Sequence, residues 1–249
     1  MKQVRADLHI HTVLSPCGEL DMGAPDIVER ALDLGIGILA VTDHNTAKNA
    51  DAVKKAARGT GLLVIAGLEI QSAEDVHAVT LFRTPEEALD FEAWLWEDFP
   101  RILNRPDLFG PQILIDEQNR ILGEEPVLLV QGARHGIDAI VREARHRGGI
   151  CFLSHVDREA FSYTAILGPV PAGYPVDALE LTCRATKEAA ASFCRSNPGF
   201  PLVRNSDAHG LDQMETRCTT VFCLEELDFS ELLLAFRGEG GRGILDPWG

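Results

Sequence analysis

The histidines of this chain are spaced as metal ligands often are. His9 and His11 lie two residues apart in the segment ADLHIHTVLSPCGE, behind an apolar lead-in, and Cys17 follows in a Ser-Pro-Cys-Gly turn. Because side chains alternate between the two faces of a β-strand, both imidazoles would lie on one face. Two imidazoles on one rigid element, joined by carboxylates, would form a site for Zn²⁺, Mn²⁺ or Fe²⁺.

Other polar residues stand where further apolar segments end. Only His135 and His146 of the eight histidines lie elsewhere, near predicted helices, and we expect them at the surface. The carboxyl-terminal edge of a parallel sheet or barrel is where active sites are built. Besides His9 and His11, the residues predicted at this edge are Asp7, Asp43, His44, Glu69, His77, His155, Asp207 and His209.

Strand-like and helix-like segments alternate along the chain, which positions these residues. Buried-strand patterns cover residues 3–11, 35–45, 62–70, 148–158, 176–183 and 200–209. Amphipathic patterns cover residues 24–35, 46–61, 136–149 and 184–196, and a last helix begins near Ser230. Strand followed by helix, repeated, predicts βαβ units and a parallel sheet.

Residues 83–135 interrupt this alternation. Their first part predicts a helix with Pro85 near its start, and a turn-rich stretch follows that could form a hairpin with its tip at 117–120. We interpret 83–135 as an insertion within a single domain that spans residues 1–249.

Composition limits the class of protein. The chain has 249 residues, 45% of them hydrophobic, so a sizeable core is expected. Its net charge of −15 would repel a nucleic-acid backbone, and we expect no binding to duplex nucleic acid. We expect no membrane span and no signal peptide. The six cysteines form no CxxC pair, which favours reduced thiols in a cytoplasm. Oligomeric state is not indicated.

Five motifs together resemble a known family. DLHIHT, VTDHN, GLEI, SHVD and NSDAH occur in the order found in the PHP (polymerase and histidinol phosphatase) family. The similarity extends from residue 4 to about 237 and includes the terminal FSELLLAFR segment. It implies an α/β fold, a distorted (β/α)7 TIM-like barrel with parallel strands, with up to three metal ions at the carboxyl-terminal rim.

The resemblance also implies a set of ligands for two to three divalent ions of Zn, Mn or Fe. Relatives often carry a histidine or an acidic residue where this chain has Cys17, and a thiolate there would disfavour Mg²⁺. The implied ligands are His9, His11, Glu69 and Asp207 for the first metal, Glu69, His77 and His155 for the second, and Cys17, His44 and His209 for the third.

The implied reaction is hydrolysis of a small phosphate ester, a phosphomonoester or nucleotide, by a hydroxide that bridges two metals. Arg158 could hold a phosphate, or it could be an exposed loop residue. Asp7 is expected to orient histidine ligands, Asp43 to orient His44 or contact substrate, and Glu180 to face either the rim or a helix. The residues expected in catalysis are Asp43, Glu69, His155, Arg158 and Asp207.

Two other functions stay open on the sequence alone. Related barrels use similar metals on carbonyl groups, so an amidohydrolase-like C–N hydrolase is one alternative. A non-catalytic metal-binding module is the other.

Overall fold

The computed structural model describes residues 1–248, which form one mixed α/β structure. Its strands are β1 (Lys2–Ile10), β2 (Ile38–Val41), β3 (Leu63–Gln71), β4 (His77–Phe82), β5 (Ile113–Ile115), β6 (Ile121–Glu124), β7 (Ile150–Leu153), β8 (Ala178–Leu181), β9 (Leu202–Arg204), β10 (Thr220–Leu224) and β11 (Gly243–Leu245). Its helices are α1 (Ala24–Asp33), α2 (Ala50–Ala56), α3 (Pro85–Trp96), α4 (Pro106–Phe109), α5 (Ile137–His146), α6 (Tyr163–Ile166), α7 (Lys187–Ser196) and α8 (Phe229–Arg237).

Nine strands form a nearly closed, barrel-shaped sheet in the order β11-β10-β1-β2-β3-β4-β7-β8-β9. The segment after β9 returns to β1, because the His11 amide donates to the Ala208 carbonyl and the Asp207 amide donates to the His9 carbonyl, both at 2.9 Å. Parallel pairs join β1 to β2, β2 to β3, β7 to β8 and β8 to β9. The predicted barrel with parallel strands is confirmed.

One strand of the barrel runs the other way. We expected the fourth apolar run to end at His77, but β4 begins at His77 and is antiparallel to both β3 and β7. Because β4 is reversed, its first residue lies at the edge where the parallel strands end, and His77 pairs with Gln71. The position of His77 at the rim was therefore predicted correctly, but the predicted direction of its strand was wrong.

An irregularity in β1 decides which residues face into the barrel. Ala6 pairs with Ile38, and both belong to the inner apolar cluster that also holds Phe152. Ile10 pairs with Val41, and both belong to the outer cluster beneath the helices. The register shifts by one residue between these pairs, so the alternation reverses, and His9 in β1 and His11 directly after it turn inward.

Residues 83–135 pack α3 against β3 and β4 and reach the rim with their later part. The predicted helix beginning at Pro85 and the predicted hairpin are confirmed as α3 and the β5–β6 pair. The Asn45 side chain donates to the Leu129 and Gln131 carbonyls, and the Trp96 indole donates to the Asn45 carbonyl at 2.8 Å. These bonds tie the segment to the residue that follows His44. That the segment is an insertion within one domain stays a prediction.

The cysteines differ from expectation. Cys183 and Cys218 form a disulfide, so the expectation that all thiols are reduced is wrong for this pair. The loop after β8 and the segment before β10 meet in the fold, which a sequence separation of 35 residues does not reveal. Within residues 1–248, no helix combines the length and the apolar character that crossing a bilayer requires.

Candidate metal centre

Glu69 stands at the centre of a group of histidines. It is buried near the end of β3. Ring nitrogens of five histidines surround its carboxylate, at 3.0 Å for His77, 3.1 Å for His44 and His155, 3.3 Å for His9 and 3.5 Å for His11. A single carboxylate so placed can bridge more than one cation.

Asp207 completes the group from the segment after β9, which lies beside the end of β1. Its Oδ1 lies 3.4 Å from Nε2 of His9 and 3.3 Å from Nε2 of His11. Ligand atoms lie within 4.8 Å of one another in three overlapping clusters, which are His9, His11, Glu69 and Asp207; His44, Glu69 and His77; and His11, His44 and His209. The first cluster is the set that the family resemblance implied for the first metal.

The donor set has unused atoms that a cation would satisfy. Nε2 of His9, Nε2 of His11 and Oδ1 of Asp207 are buried without a hydrogen-bond partner and face one another. His77 and His155 differ, because in each ring the nitrogen without a partner is not the one that contacts Glu69. Buried polar atoms without partners are costly, and their convergence here needs an explanation. Imidazole and carboxylate donors fit a divalent metal such as Zn²⁺, Mn²⁺ or Fe²⁺.

The orientation of His9 is set by Glu180. Nδ1 of His9 lies 3.0 Å from one oxygen of this buried carboxylate, which leaves Nε2 facing Glu69 and Asp207. The same carboxylate accepts from the His155 amide at 2.9 Å and from the Asn205 side chain at 2.7 Å. A carboxylate that holds the remote nitrogen of a ligand histidine fixes its tautomer and orientation. Glu180 therefore faces the rim.

His11 is oriented by a different chain of bonds. Ser15 donates its hydroxyl to Asp43 at 2.7 Å, and Nδ1 of His11 lies 3.0 Å from the Ser15 oxygen. Asp43 also accepts from the amide and hydroxyl of Thr12 at 2.7 and 2.8 Å. Asp43 thus acts on His11 through Ser15, and it is fully buried. Asp7 contacts the Ser206 amide at 3.1 Å rather than a ligand ring.

Two predicted site residues lie at the margin of the group. Cys17 is in none of the three clusters and is exposed as a residue, and its role as a ligand stays a prediction. Packing around the thiol and the nearby charge of Glu69 raise the pKa of Cys17 to about 12. Arg158 donates to Oδ2 of Asp207 at 2.9 Å while its side chain stays 51% exposed. It can therefore reach both the metal centre and solvent.

The remaining histidines lie away from the group. His146 is exposed on α5, as expected. His135 is instead half-buried and stacks on Trp94 with ring centroids 4.1 Å apart.

The backbone at two predicted ligands is strained. His155 has φ of 30° and Asp207 has φ of 52°, both in the left-handed region that residues other than glycine rarely adopt. Each such residue costs on the order of 1–3 kcal/mol, and such strain clusters at functional sites.

Charges within the group oppose one another. Burial alone would raise the pKa of Glu69, but the surrounding histidines outweigh it and hold the pKa well below its usual range. Burial lowers the pKa of His11, yet Asp207 and Glu69 raise it to about 9. Burial and the charge on His11 lower the pKa of His44 to about 4. Glu69 is thus held ionised, which is the form that binds a cation.

Comparison with known proteins agrees with this geometry. A family model described as the PHP domain matches residues 7–163. An uncharacterized protein of Methanocaldococcus jannaschii is 37% identical over 79 residues, which cover 28% of this chain and 46% of that protein. The chain thus spans about half the length of the curated relative that it matches.

Solved structures share the fold. The lesion-specific endonuclease Q of Pyrococcus furiosus superposes with a TM-score of 0.73 at 20% identity, covering 99% of this chain and 60% of that chain. Endonuclease Q has also been solved with a 27-mer duplex substrate that carries an abasic lesion at the active site. An amidohydrolase of Chromobacterium violaceum superposes with a TM-score of 0.56 at 16% identity, covering 97% and 98%.

The identities to these structures are low, and the likeness establishes the fold alone. The family model is stronger evidence, because it covers more than half of the chain and includes both His9 and His11. The chain belongs to the PHP domain family.

Proposed function

We propose that this protein is a metal-dependent phosphoesterase that hydrolyses a small phosphate ester. The observation that carries the proposal is the convergence of unpartnered, buried ligand atoms from His9, His11 and Asp207 beside the ionised Glu69. This arrangement has the donors for a cation and lies at the rim of the barrel, where substrates of such folds bind.

The chain's own residues have distinct parts in the proposed reaction. When bound, divalent ions neutralise phosphate charge and supply a nucleophile from water at neutral pH. His9, His11, Glu69 and Asp207 would hold one ion, and Glu69 with His77 and His155 a second. Arg158 has a guanidinium that can donate to a phosphate oxygen. Glu180 keeps Nε2 of His9 directed at the ligand cluster.

The expectation that this protein does not bind duplex nucleic acid, which was based on net charge, needs a correction. We expected no duplex binding because the net charge is −15, yet endonuclease Q has this fold and was solved with a duplex. Charge alone therefore does not exclude duplex nucleic acid for such a barrel. This chain spans 60% of endonuclease Q at 20% identity. We retain a small phosphate ester as the proposed substrate and include duplex DNA in its test.

The test combines metal analysis with a substrate panel. Purified wild-type protein, H9A and H146A are analysed for bound metal and assayed with p-nitrophenyl phosphate, sugar phosphates, nucleotides and duplex DNA with an abasic site. We expect H9A to lose metal and phosphate release, while H146A, altered at an exposed histidine, keeps both. A wild-type protein that carries no metal and gains no activity with Mn²⁺ or Zn²⁺ would contradict the proposal.

The two alternatives give different results in the same assays. An amidohydrolase-like enzyme would hydrolyse C–N bonds and release no phosphate, and an amidohydrolase does share the fold. A binding module would hold metal tightly and turn over no substrate. Loss of both metal and phosphate release in H9A would distinguish the phosphoesterase from either.

A further inference from the structure

A polar cleft opens beside the metal centre. It has a volume of about 430 Å³, and His155, Glu180 and Asp207 line the end nearest the metal ligands. Thr182, Arg184 and Gln213 also line it. A second cavity of about 380 Å³ shares Arg184 and Gln213 with the first, so the cleft continues away from the metal centre. The two volumes leave room for a substrate that extends beyond the reacting phosphate.

Two acidic groups of the cleft, Asp157 and Glu215, already have partners, whereas Asp212 lines the second cavity and has no ion pair with any of residues 1–248. Asp157 accepts from the Thr182 amide and hydroxyl, both at 2.8 Å. Glu215 accepts from the Arg217 guanidinium at 2.6 and 2.9 Å. These contacts hold the carboxylates of Asp157 and Glu215 to the wall of the cleft, so these two groups oppose an incoming anion less than free carboxylates would.

Arg184 is different from the other arginines of the cleft. Arg158 pairs with Asp207 and Arg217 with Glu215, whereas Arg184 is exposed and has no ion pair with any of residues 1–248. Its planar guanidinium can bind a phosphate or carboxylate with two parallel hydrogen bonds. In a chain with a net charge of −15, a cation in a cleft next to a metal centre is a specific feature.

Gln213 supplies a second set of donors. Its side-chain oxygen accepts from the His209 amide at 3.0 Å, which fixes the orientation of the amide group. The oxygen is thus used, and the NH₂ end is left to donate. The cleft lining contains no Phe, Tyr or Trp among the described residues, so it offers no ring on which a nucleobase could stack through those side chains.

We propose that this cleft is a subsite for a second anionic group, with Arg184 and Gln213 as its donors. The substrate would then carry two phosphate groups, one at the metal centre and one in the cleft, joined by a hydrophilic unit such as a sugar. The inference rests on the proposed phosphoesterase function and narrows its substrate class.

Calorimetry on the metal-loaded protein tests the subsite without requiring turnover. The probes are two pairs that differ by one phosphate, orthophosphate with pyrophosphate and fructose 6-phosphate with fructose 1,6-bisphosphate. Charge-assisted hydrogen bonds predict that wild type binds at least one bisphosphorylated probe about tenfold or more tighter than its partner. R184Q should lose most of this preference, R184K should keep part of it, and all variants should retain their metal.

The matched control is R195Q, because Arg195 is an exposed arginine on α7 that does not line the cleft. It should bind all four probes as wild type does. Equal affinity of wild type within both pairs would overturn the proposal, and so would an R184Q variant that keeps the wild-type preference. Absence of phosphate release would instead contradict the proposed function, since the calorimetric preference does not depend on it.

Discussion

Nδ1 of His9 lies 3.0 Å from Oε2 of Glu180, and this contact directs the other nitrogen of His9 toward Glu69 and Asp207. Oε2 also accepts from the His155 amide. One buried carboxylate therefore positions residues predicted to bind two different metals. Its loss should disturb metal binding without removing any predicted ligand.

We predict that E180Q lowers the affinity of the first metal about 10- to 100-fold, because an amide holds the remote nitrogen of His9 less firmly than a carboxylate. Chelator competition measures this. The control is D177N. Asp177 is a buried carboxylate directly before β8, the strand that carries Glu180, and it accepts hydrogen bonds from the Cys151 amide and from Arg145. Equal metal affinity in E180Q and wild type would show that the Glu180 carboxylate does not contribute to metal binding.

The cluster of His11, His44 and His209 can be tested by two substitutions. We predict that H209A loses one metal equivalent, because His209 lies in the cluster with His11 and His44. C17S should weaken this metal less than H209A does, because Cys17 lies outside that cluster. Metal analysis by mass spectrometry gives the stoichiometry. A C17S protein with unchanged affinity for the third metal would remove Cys17 from the ligand set.

Gly67 gives a prediction about the strand that carries Glu69. A Cβ at this position would clash with the Thr80 carbonyl oxygen and lie 2.7 Å from the Leu81 side chain. We expect G67A to lower the free energy of unfolding by about 1–3 kcal/mol, as overpacking does, and to weaken metal binding. G243A is the control, since no atom lies within 4 Å of a Cβ there. If denaturant unfolding shows that G67A is as stable as G243A, the predicted clash is contradicted.

The disulfide predicts a measurable stabilisation. Because Cys183 and Cys218 are 35 residues apart, loop entropy predicts that the double serine variant loses about 3–4 kcal/mol of stability. Its metal content should not change, since neither cysteine lies in a ligand cluster. C194S, altered at an exposed free cysteine, is the control. Denaturant midpoints that do not respond to reductant in wild type would show that the bond is absent in solution.

The sequence predicted the ligand-bearing strand ends because they depend on local patterns. Apolar runs of strand length followed by His, Asp or Glu located Glu69, His155 and Asp207 at the rim, and the structure brings them there. Alternation along a strand also placed His9 and His11 on one face. These inferences need only the period of a strand and the shared direction of parallel strands.

The rest depends on register and long-range contacts, which no local pattern reports. The extra residue in β1 reverses the inward face, and only the pairing with β2 shows it. Glu180 lies near the end of an apolar run, as Glu69 does, yet only the fold shows that it contacts His9. Ser15 carried no signal of its own, although its position four residues after His11 in a turn is compatible with a local bond.

The bonds between β1 and the segment after β9 have a consequence for how the chain closes into a ring. His9 and His11 lie on one side of this junction and Asp207 on the other, and only two backbone bonds near them cross it. A cation held by all three residues would act as a clasp between β1 and the segment after β9. Removing it should first increase amide hydrogen exchange at residues 9–11 and 205–208, before the helices outside the barrel respond.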